Sequence, residues 1–326
     1  MINVSLIGCG LIGNKRADAL LGLANLVSCY DKDRTASEKL AQKYNCKVEE
    51  DLERMLSCES IQAVFVSTRH DSLVPIAKRA LEAGKHVLIE KPGGLSEVEL
   101  RSIQKIAESK DLRVHVGYNH RYHRGIMQAF KIIKDDKIGE LLFFRARYGH
   151  GGRRGYEREW RSNKVFSGGG ELIDQGTHLL DLAQEILGEI SIDYAATPNY
   201  FWNMDVEDNA FIVVKNKTGA IGFFHVSCTE WKNTFSLEIY GKMGKLEING
   251  LGGSYGTEKL TYFKMNSEMG PPETFSWEYP MQDNSWTTEI KQFIDDIVNG
   301  SRNSSNLESS LRILNLVNEI YVRTGR

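Results

Sequence analysis

The first 117 residues alternate short apolar runs with amphipathic stretches. The apolar runs occupy residues 4–7, 26–30, 63–67, 86–89 and 114–117. Between them the spacing predicts helices, for instance over residues 35–44, 73–83 and 96–109. Ser96 and Glu99 form a capping box at the start of the last of these helices, because their side chains satisfy free backbone amides there. This alternation is typical of βαβ units built around a parallel sheet.

From about residue 124 onward the pattern changes to longer β-rich runs joined by Gly and Asn turns. These runs occupy residues 141–148, 209–214, 220–227, 235–240 and 245–248. Several alternate with period two, which predicts a large, mostly antiparallel or mixed open-faced sheet with flanking helices. Since an open apolar face needs a cover, we expect a homodimer or homotetramer through this sheet. A helical stripe over residues 307–321 must also pack on one of the two halves.

The composition limits the classes of partner. A chain of 326 residues exceeds what one hydrophobic core usually serves, so two domains are expected. A formal net charge of -2, with acids and bases mixed, argues against a nucleic-acid partner. No window approaches the roughly 18 apolar residues of a membrane span, and the N-terminus lacks a signal-peptide pattern. We therefore expect a cytoplasmic protein with no membrane partner.

The cysteine and histidine spacing does not predict a metal site. The five cysteines are scattered without a CxxC pair, so we expect them to be reduced and structural. His120 and His123 lie close in sequence, but no further ligands converge on them.

A glycine-rich loop follows the first predicted strand and opens a helix. It reads Gly8-Cys9-Gly10-Leu11-Ile12-Gly13. Gly8 permits a tight turn, and Gly10 lets a pyrophosphate approach the backbone. Gly13 allows close helix packing while the first helical amides face the anion. The loop is thus typical of a dinucleotide-binding site, although glycines that only shape a turn are the alternative.

Asp31 ends the second strand, at the distance where a carboxylate meets the ribose hydroxyls of a dinucleotide. Because it repels a 2′-phosphate, it favours NAD, while Lys32 and Arg34 leave NADP open. The fold class expected is α/β plus α+β. A Rossmann dinucleotide-binding domain is expected over residues 1–122, and an α+β domain for substrate binding and oligomerisation over residues 123–326.

Two further motifs complete a resemblance to a known family. They are Glu90-Lys91-Pro92 at the end of a buried strand, and Gly168-Gly169-Gly170 followed by Asp174 and His178. Together with the glycine-rich loop, they resemble the Gfo/Idh/MocA family of oxidoreductases. The resemblance implies a Rossmann domain, an open-sheet substrate domain and hydride transfer on sugars, sugar nucleotides or cyclitols. It also implies that Lys91, Asp174 and His178 act at the nicotinamide.

Residues 171–187 predict one helix with an apolar stripe, and Asp174, His178 and Asp181 lie on its opposite face. On an anonymous helix such a face is simply solvated. With Lys91 and the glycine run, we expect it to carry chemistry. His178 would take the proton of a secondary hydroxyl, Asp174 would orient the imidazole, and Lys91 would stabilise the developing alkoxide.

Two sets of binding residues are expected. The cofactor set is Gly8, Gly10, Leu11, Ile12, Gly13, Asp31, Lys32, Thr68, Arg69, Glu90, Lys91 and Asn119. The substrate set is Lys91, Tyr118, Arg121, Arg153, Trp160, Arg161, Asp174 and His178. The resemblance implies that Asn119 and Arg121 act mainly by position. Thr68-Arg69-His70 stands where the family commonly shows Thr-Pro-Asn, and Leu73 where it often has His, so the resemblance does not define the cofactor contacts there.

Residues 148–161 mix glycines with arginines and Trp160, and resemble the substrate loop of relatives from cell-surface polysaccharide pathways. Arginine forks suit phosphate or carboxylate, and Trp160 can stack on a sugar or base. A solvated connection is the alternative, which leaves a neutral sugar open.

The leading hypothesis is an NAD(P)-dependent dehydrogenase or ketoreductase that acts on a CH–OH group of a sugar, sugar nucleotide or cyclitol. One alternative is a glycoside hydrolase that recycles its NAD within each turnover. Another is a non-catalytic dinucleotide-binding sensor.

Overall fold

The computed structural model describes residues 1–302 and 306–326. They form two compact units. The first unit comprises Met1–Tyr118 and Trp286–Leu314, and the second comprises Asn119–Ser285 and Asn315–Arg326.

The first unit contains a six-stranded sheet in which every pair of neighbouring strands is parallel. Its strands are β1 (Asn3–Ile7), β2 (Asn25–Tyr30), β3 (Lys47–Val48), β4 (Ala63–Val66), β5 (His86–Glu90) and β6 (Val114–Gly117). Its connecting helices are α1 (Leu11–Leu20), α2 (Arg34–Tyr44), α3 (Leu52–Leu56), α4 (His70–Glu82) and α5 (Glu97–Ser109). The strand order β3-β2-β1-β4-β5-β6 is that of the Rossmann fold, whose ligands bind outside the carboxyl ends of the strands where the order reverses.

The predicted apolar runs all form strands of this sheet. Strand β3, which the sequence did not reveal, has two residues and therefore no apolar run of its own. The predicted cap also forms, because the Ser96 hydroxyl accepts a bond from the Glu99 amide at 3.3 Å. The Glu99 carboxylate bonds the Leu95 amide at 2.9 Å. Helix α5 thus begins where the capping box predicted.

The second unit contains an eight-stranded mixed sheet in the order β14-β13-β12-β11-β7-β10-β9-β8. Its strands are β7 (Leu141–Gly149), β8 (Ile190–Ala196), β9 (Asn209–Asn216), β10 (Ile221–Ser227), β11 (Thr234–Gly241), β12 (Gly244–Asn249), β13 (Glu258–Lys264) and β14 (Glu273–Tyr279). The further helices are α6 (Arg124–Lys134), α7 (Lys164–Ser167), α8 (Thr177–Leu187), α9 (Ser285–Asn299) and α10 (Leu307–Thr324). Within the described part of this second sheet only β7 and β10 pair in parallel, so the predicted mixed sheet is confirmed.

One face of this sheet is buried and the other is open in the single chain. Phe144 and Phe224 point inward and stack on each other, with ring centroids 5.8 Å apart. On the open face Phe143 and Phe223 are 39% and 43% exposed, and Phe143 stacks on Tyr240. The period-two alternation along the strands produces this division.

The C-terminal segment departs from the expected division at residue 122. Trp286–Leu314 belongs to the first unit, not to the second. Ile290, Phe293 and Ile294 of α9 join the apolar core under the parallel sheet, and Phe293 meets the Phe65 ring edge-on at 5.8 Å. Helix α10 begins in the first unit and ends in the second.

Over the described residues, none of the helices combines the length and the apolar character that a bilayer crossing requires.

Candidate active site

The glycine-rich loop connects β1 to the first turn of α1. Gly8 has a φ of +95°, and a side chain there would overlap the Ser67 carbonyl. A side chain on Gly13 would overlap the Gly8 carbonyl, whereas the space around Gly10 is open among the described residues. Leu11 and Ile12 form the start of the helix, where free amides point outward. The loop thus packs tightly against the protein at Gly8 and Gly13 and is accessible at Gly10, as an anion-binding loop requires.

Asp31 lies directly after β2, beside this loop. Its carboxylate accepts bonds from the amides of Cys9 at 2.6 Å and Asp33 at 2.8 Å. Lys32 is exposed, while Arg34 pairs with Glu38 and Glu50 at 2.8 Å each. A fixed negative charge at this position suits ribose hydroxyls better than a 2′-phosphate.

Thr68 and Arg69 lie between β4 and the first turn of α4, where the sequence departs from the family pattern. The Arg69 guanidinium pairs with Asp71 at 3.0 Å, and His70 and Leu73 are buried. The predicted cofactor contacts of Thr68 and Arg69 stay predictions.

Glu90, Lys91 and Pro92 form the end of β5 and the turn that follows, with a cis Lys91–Pro92 bond. Lys91 is partly buried. The Glu90 carboxylate, which we expected at the cofactor, is buried and accepts a bond from the Arg16 guanidinium at 2.6 Å. A buried carboxylate takes the nearest buried cation as its partner because desolvation otherwise penalises its charge.

Asp174 and His178 come from a helical segment that is not one continuous α-helix. Leu172–Gly176 is a π-helical turn, and α8 follows it. The turn starts against Glu207, whose carboxylate accepts bonds from the Gly170 and Leu172 amides at 3.0 Å each. A side chain on Gly170 would overlap the Glu207 backbone, which accounts for that glycine. Sequence periodicity could not reveal this distant acceptor.

The predicted titratable face of this segment is buried, not solvated. Asp174, His178 and Asp181 are 5%, 3% and 0% exposed. Asp174 accepts a bond from the Arg161 guanidinium at 2.9 Å, and Arg161 also lies over the Trp160 ring at 4.5 Å. Arg161 and Asp174, both expected to contact substrate, therefore partner each other.

The His178 imidazole stacks on the His120 imidazole, with ring centroids 3.7 Å apart and planes 20° apart. The Tyr148 ring meets the edge of both, at 6.2 Å from His178 and 5.1 Å from His120. Burial, followed by the neighbouring Tyr255, raises the pKa of Tyr148 well above its ordinary value. This stack fixes the plane of the His178 ring. We did not anticipate His120 in that role, and its position between Asn119 and Arg121 was the available signal.

A second buried polar group lies near Asp174. Tyr156 donates a bond to Glu171 at 2.8 Å, and a ring nitrogen of His150 lies 3.5 Å from the same carboxylate. Although burial lowers the pKa of His150, the hydrogen bond and charge of Glu171 raise it above its ordinary value. These residues form a second polar cluster, which interacts electrostatically with Asp174.

Three other predicted binding residues have partners within the second unit, and their contacts with cofactor or substrate stay predictions. Arg121, expected at the substrate, pairs with Asp181 at 2.6 Å and with Glu185 at 2.8 Å. Asn119 is buried and donates to the Ser285 hydroxyl at 2.9 Å. Arg153 is 71% exposed and pairs with Glu159. Charge pairing within the second unit thus satisfies the two arginines, and Asn119 and Arg121 help to build the fold there.

The predicted site residues belong to two different units. Tyr118, which is fully buried, is the last residue of the first unit before the chain enters the second. The dinucleotide loop, Asp31 and Lys91 belong to the first unit, and Asp174 and His178 to the second. That Lys91 and His178 reach the same substrate atom stays a prediction.

No group of three or more His, Cys, Asp or Glu side chains in residues 1–302 and 306–326 is arranged to hold a metal ion. His123 instead bonds the Glu258 carboxylate at 3.1 Å.

Comparison with known families agrees with this architecture. Residues 2–118 match an oxidoreductase family with an NAD-binding Rossmann fold, and residues 126–247 match the GFO/IDH/MocA C-terminal domain. The chain belongs to the Gfo/Idh/MocA family of oxidoreductases. The predicted family, fold class, oxidoreductase activity and NAD cofactor are confirmed.

Two relatives match this chain over most of their own length. Inositol 2-dehydrogenase of Rhizobium meliloti (strain 1021) is 24% identical over 314 residues, which cover 92% of this chain and 90% of the relative. Levoglucosan dehydrogenase of Pseudarthrobacter phenanthrenivorans is 24% identical over 288 residues, which cover 76% of this chain and 73% of the relative.

A solved structure of levoglucosan dehydrogenase in complex with NADH has the same fold. Its TM-score is 0.90 at 21% sequence identity, and the match covers 99% of this chain and 97% of that one.

Proposed function

We propose that this oxidoreductase transfers a hydride between NAD and a secondary alcohol of a neutral sugar or cyclitol. Two relatives named above are dehydrogenases of inositol and levoglucosan, which supports this class of substrate. The observation that carries the proposal is the buried pair Asp174 and His178, with the imidazole held by a ring stack. Burial of a carboxylate and an imidazole on one helical segment is costly, and buried titratable groups of this kind are concentrated at functional sites.

The residues of the first unit fit NAD. Gly8 and Gly13 have no room for side chains, and the amides of Gly10, Leu11 and Ile12 are the groups that would hold the pyrophosphate. Asp31 would accept the ribose hydroxyls. When bound, NAD supplies the acceptor for a hydride from the alcohol carbon.

Two side chains would act on the alcohol itself, and Asp174 would act through one of them. His178 accepts the hydroxyl proton in its neutral form. Lys91 donates a hydrogen bond to the same oxygen and stabilises the negative charge that develops on it. Asp174 favours the charged imidazole after proton transfer, and its ion pair with Arg161 fixes the carboxylate.

Charge pairing in the second unit favours a neutral substrate over a phosphorylated one. Arg153, Arg158 and Arg161 each lie beside a carboxylate, at 2.7 Å, 3.5 Å and 2.9 Å. Breaking the partly buried Arg161–Asp174 pair to bind a phosphate would cost more than binding hydroxyls, because it would leave a buried carboxylate without this cation. The exposed pairs of Arg153 and Arg158 contribute little to this preference. We therefore rank hexoses and inositols above sugar nucleotides.

Asp31 is expected to set the preference for NAD over NADP. Since a hydrogen bond to a charged group contributes about 1.5–3 kcal/mol, Asp31→Ser should lower kcat/KM with NAD by roughly 10- to 100-fold. The same change removes the repulsion of a 2′-phosphate, so activity with NADP should rise relative to NAD. Asp33→Ser is the matched control, because serine preserves the cap on α2 while it removes a neighbouring charge. An unchanged NAD/NADP ratio in Asp31→Ser contradicts the assignment.

We propose that the open face of the second sheet forms a homodimer or homotetramer interface and that the enzyme acts in the cytoplasm. Phe143, Ile221 and Phe223 form an apolar patch between charged side chains on this face, which supports the interface. Phe223→Lys should give a monomer by light scattering. Val98→Lys, which changes an exposed residue of the first unit, should leave the assembly intact. A wild-type monomer at micromolar concentration rules the interface out.

A cofactor-absorbance screen tests the proposed function. The wild-type protein is mixed with NAD or NADP and with inositols, levoglucosan, methyl glucosides, hexoses and sugar nucleotides, and reduced cofactor is followed. Reduction of NAD by a neutral polyol is expected. Glycoside cleavage without net cofactor change would instead identify the NAD-recycling hydrolase. Tight NADH binding with no turnover on any compound would identify a sensor.

A further inference from the structure

Arg16 is a fully buried arginine of the first unit, and its guanidinium lies between two buried carboxylates. Its Nε donates to Glu90 at 2.6 Å, and its Nη1 donates to Glu289 of α9. The Trp286 ring covers the guanidinium, with 4.4 Å between the guanidinium carbon and the ring centroid. Helix α1, the end of strand β5 and helix α9 thus meet at one side chain.

The guanidinium of Arg16 also packs closely against the end of strand β6. A side chain on Gly117, at the end of β6, would overlap Nη2 of Arg16, so a larger residue there would displace the guanidinium. Removing three charges from water is unfavourable, and apolar residues of the same volume often stabilise a core as well or better. Stabilisation of the fold alone is therefore a weak explanation for the presence of this buried arginine.

The two carboxylates have different electrostatic surroundings. Burial raises the pKa of Glu90 above its ordinary value, and the charge of Arg16 opposes this. Burial acts on Glu289 as well, but Arg16 and His115 together lower its pKa. The His115 ring lies 3.5 Å from Glu289. The charged form of Glu289 is thus favoured, and Glu289 forms an ion pair with Arg16. Arg16 in turn forms an ion pair with Glu90.

Glu90 is joined directly to Lys91. Its backbone carbonyl accepts a bond from the Gly93 amide at 3.0 Å, which closes the turn around Lys91 and Pro92. The side chain of Glu90 is fixed by Arg16, so the end of β5 is held on both sides. Any rotation of this strand end would move the Lys91 side chain.

We propose that Arg16 is a positioning residue, which orients Lys91 by holding Glu90 at the end of β5. This proposal rests on the proposed function, in which Lys91 stabilises the alkoxide. Arg16 also lies on the helix that starts at the dinucleotide loop, so it ties the lysine to the element that carries the cofactor-binding amides. It touches neither substrate nor cofactor in this role.

A double-mutant cycle tests the proposal. Arg16→Lys keeps the charge but loses the planar fork that reaches both carboxylates. Turnover is measured with NAD and inositol, levoglucosan or a methyl glucoside, whichever the wild-type protein oxidises fastest. Because small misplacement of a catalytic group is costly, Arg16→Lys should lower kcat by about 10- to 100-fold. The Kd of NADH, followed by its fluorescence, should change little.

The decisive comparison uses Lys91→Ala as the background. If Arg16 acts through Lys91, Arg16→Lys should not lower the residual single-turnover rate of Lys91→Ala any further. An equal loss in both backgrounds indicates a structural role and overturns the proposal, as does an unchanged kcat in Arg16→Lys alone. Arg101→Lys, an exposed arginine paired with Glu97, is the control for the chemical change.

A second variant covers the case in which Arg16→Lys does not fold. Glu90→Gln keeps an oxygen that accepts the bond from Arg16 but weakens the pair, and it should show the same dependence on Lys91. Failure of the proposed function gives a different result. In that case wild-type turnover is absent or independent of Lys91, and the role of Arg16 is refuted with it.

Discussion

Lys91→Ala is expected to lower kcat/KM for oxidation of the polyol by about 10³-fold, since loss of one preorganised donor to a developing oxyanion has an effect of this size. The Rossmann unit should still bind NADH, because the glycine loop and Asp31 are unchanged and would hold most of the cofactor even without the contact expected of Lys91. The rate is measured by the absorbance of reduced cofactor, and binding by NADH fluorescence.

Lys78→Ala provides the control for this variant. Lys78 is an exposed lysine of α4 that pairs with Glu82 at 3.9 Å, so its loss should leave both measurements unchanged. If Lys91→Ala retains the wild-type kcat/KM, the assigned role of the lysine is wrong.

His178→Phe is the second substitution with a large expected effect. Phenylalanine preserves a ring that can stack on His120 but removes both nitrogens, so proton abstraction is lost while packing is largely kept. Loss of a general base lowers the rate by roughly 10²- to 10⁴-fold. The measurement is kcat/KM as a function of pH.

The pH profile separates proton abstraction from packing. In the wild-type enzyme the rate should fall as the pH is lowered, because a protonated imidazole cannot accept the hydroxyl proton. This fall should be absent from the residual activity of His178→Phe. His120→Phe, which changes the other ring of the stack, should keep the acidic fall and lose much less activity. Equal losses of kcat/KM in His178→Phe and His120→Phe would mean that the ring stack supports catalysis and that His178 is not the base.

Local sequence signals were sufficient for the parallel sheet and the dinucleotide loop. Gly8 and Gly13 are required by backbone contacts within a few residues or between neighbouring strands, and Asp31 directly follows its own strand. The Ser96 cap is equally local. Such features depend on short-range geometry, which a sequence pattern records directly.

Features that depend on distant partners were not predictable in the same way. Arg121 meets Asp181, and Arg161 meets Asp174, because the folded second unit brings their elements together. The stack of His120 on His178 arises in the same manner. The sequence supplied the charges and rings but no information on which of them would pair.

The sequence pattern also did not predict that α9 packs in the first unit. Its apolar stripe has ordinary helical spacing, and nothing local indicates that Phe293 meets Phe65. Glu289 on the same helix then completes the pairing of Arg16. Helical periodicity identifies a buried face but not the surface that receives it.

A crystal structure with NADH and the polyol found in the screen tests the central claim most directly. The account predicts that the Lys91 ammonium and a ring nitrogen of His178 both lie within about 2.6–3.2 Å of one hydroxyl oxygen, whose carbon faces the nicotinamide. A complex in which either group is remote from that oxygen, with another acid or base in its place, would contradict it.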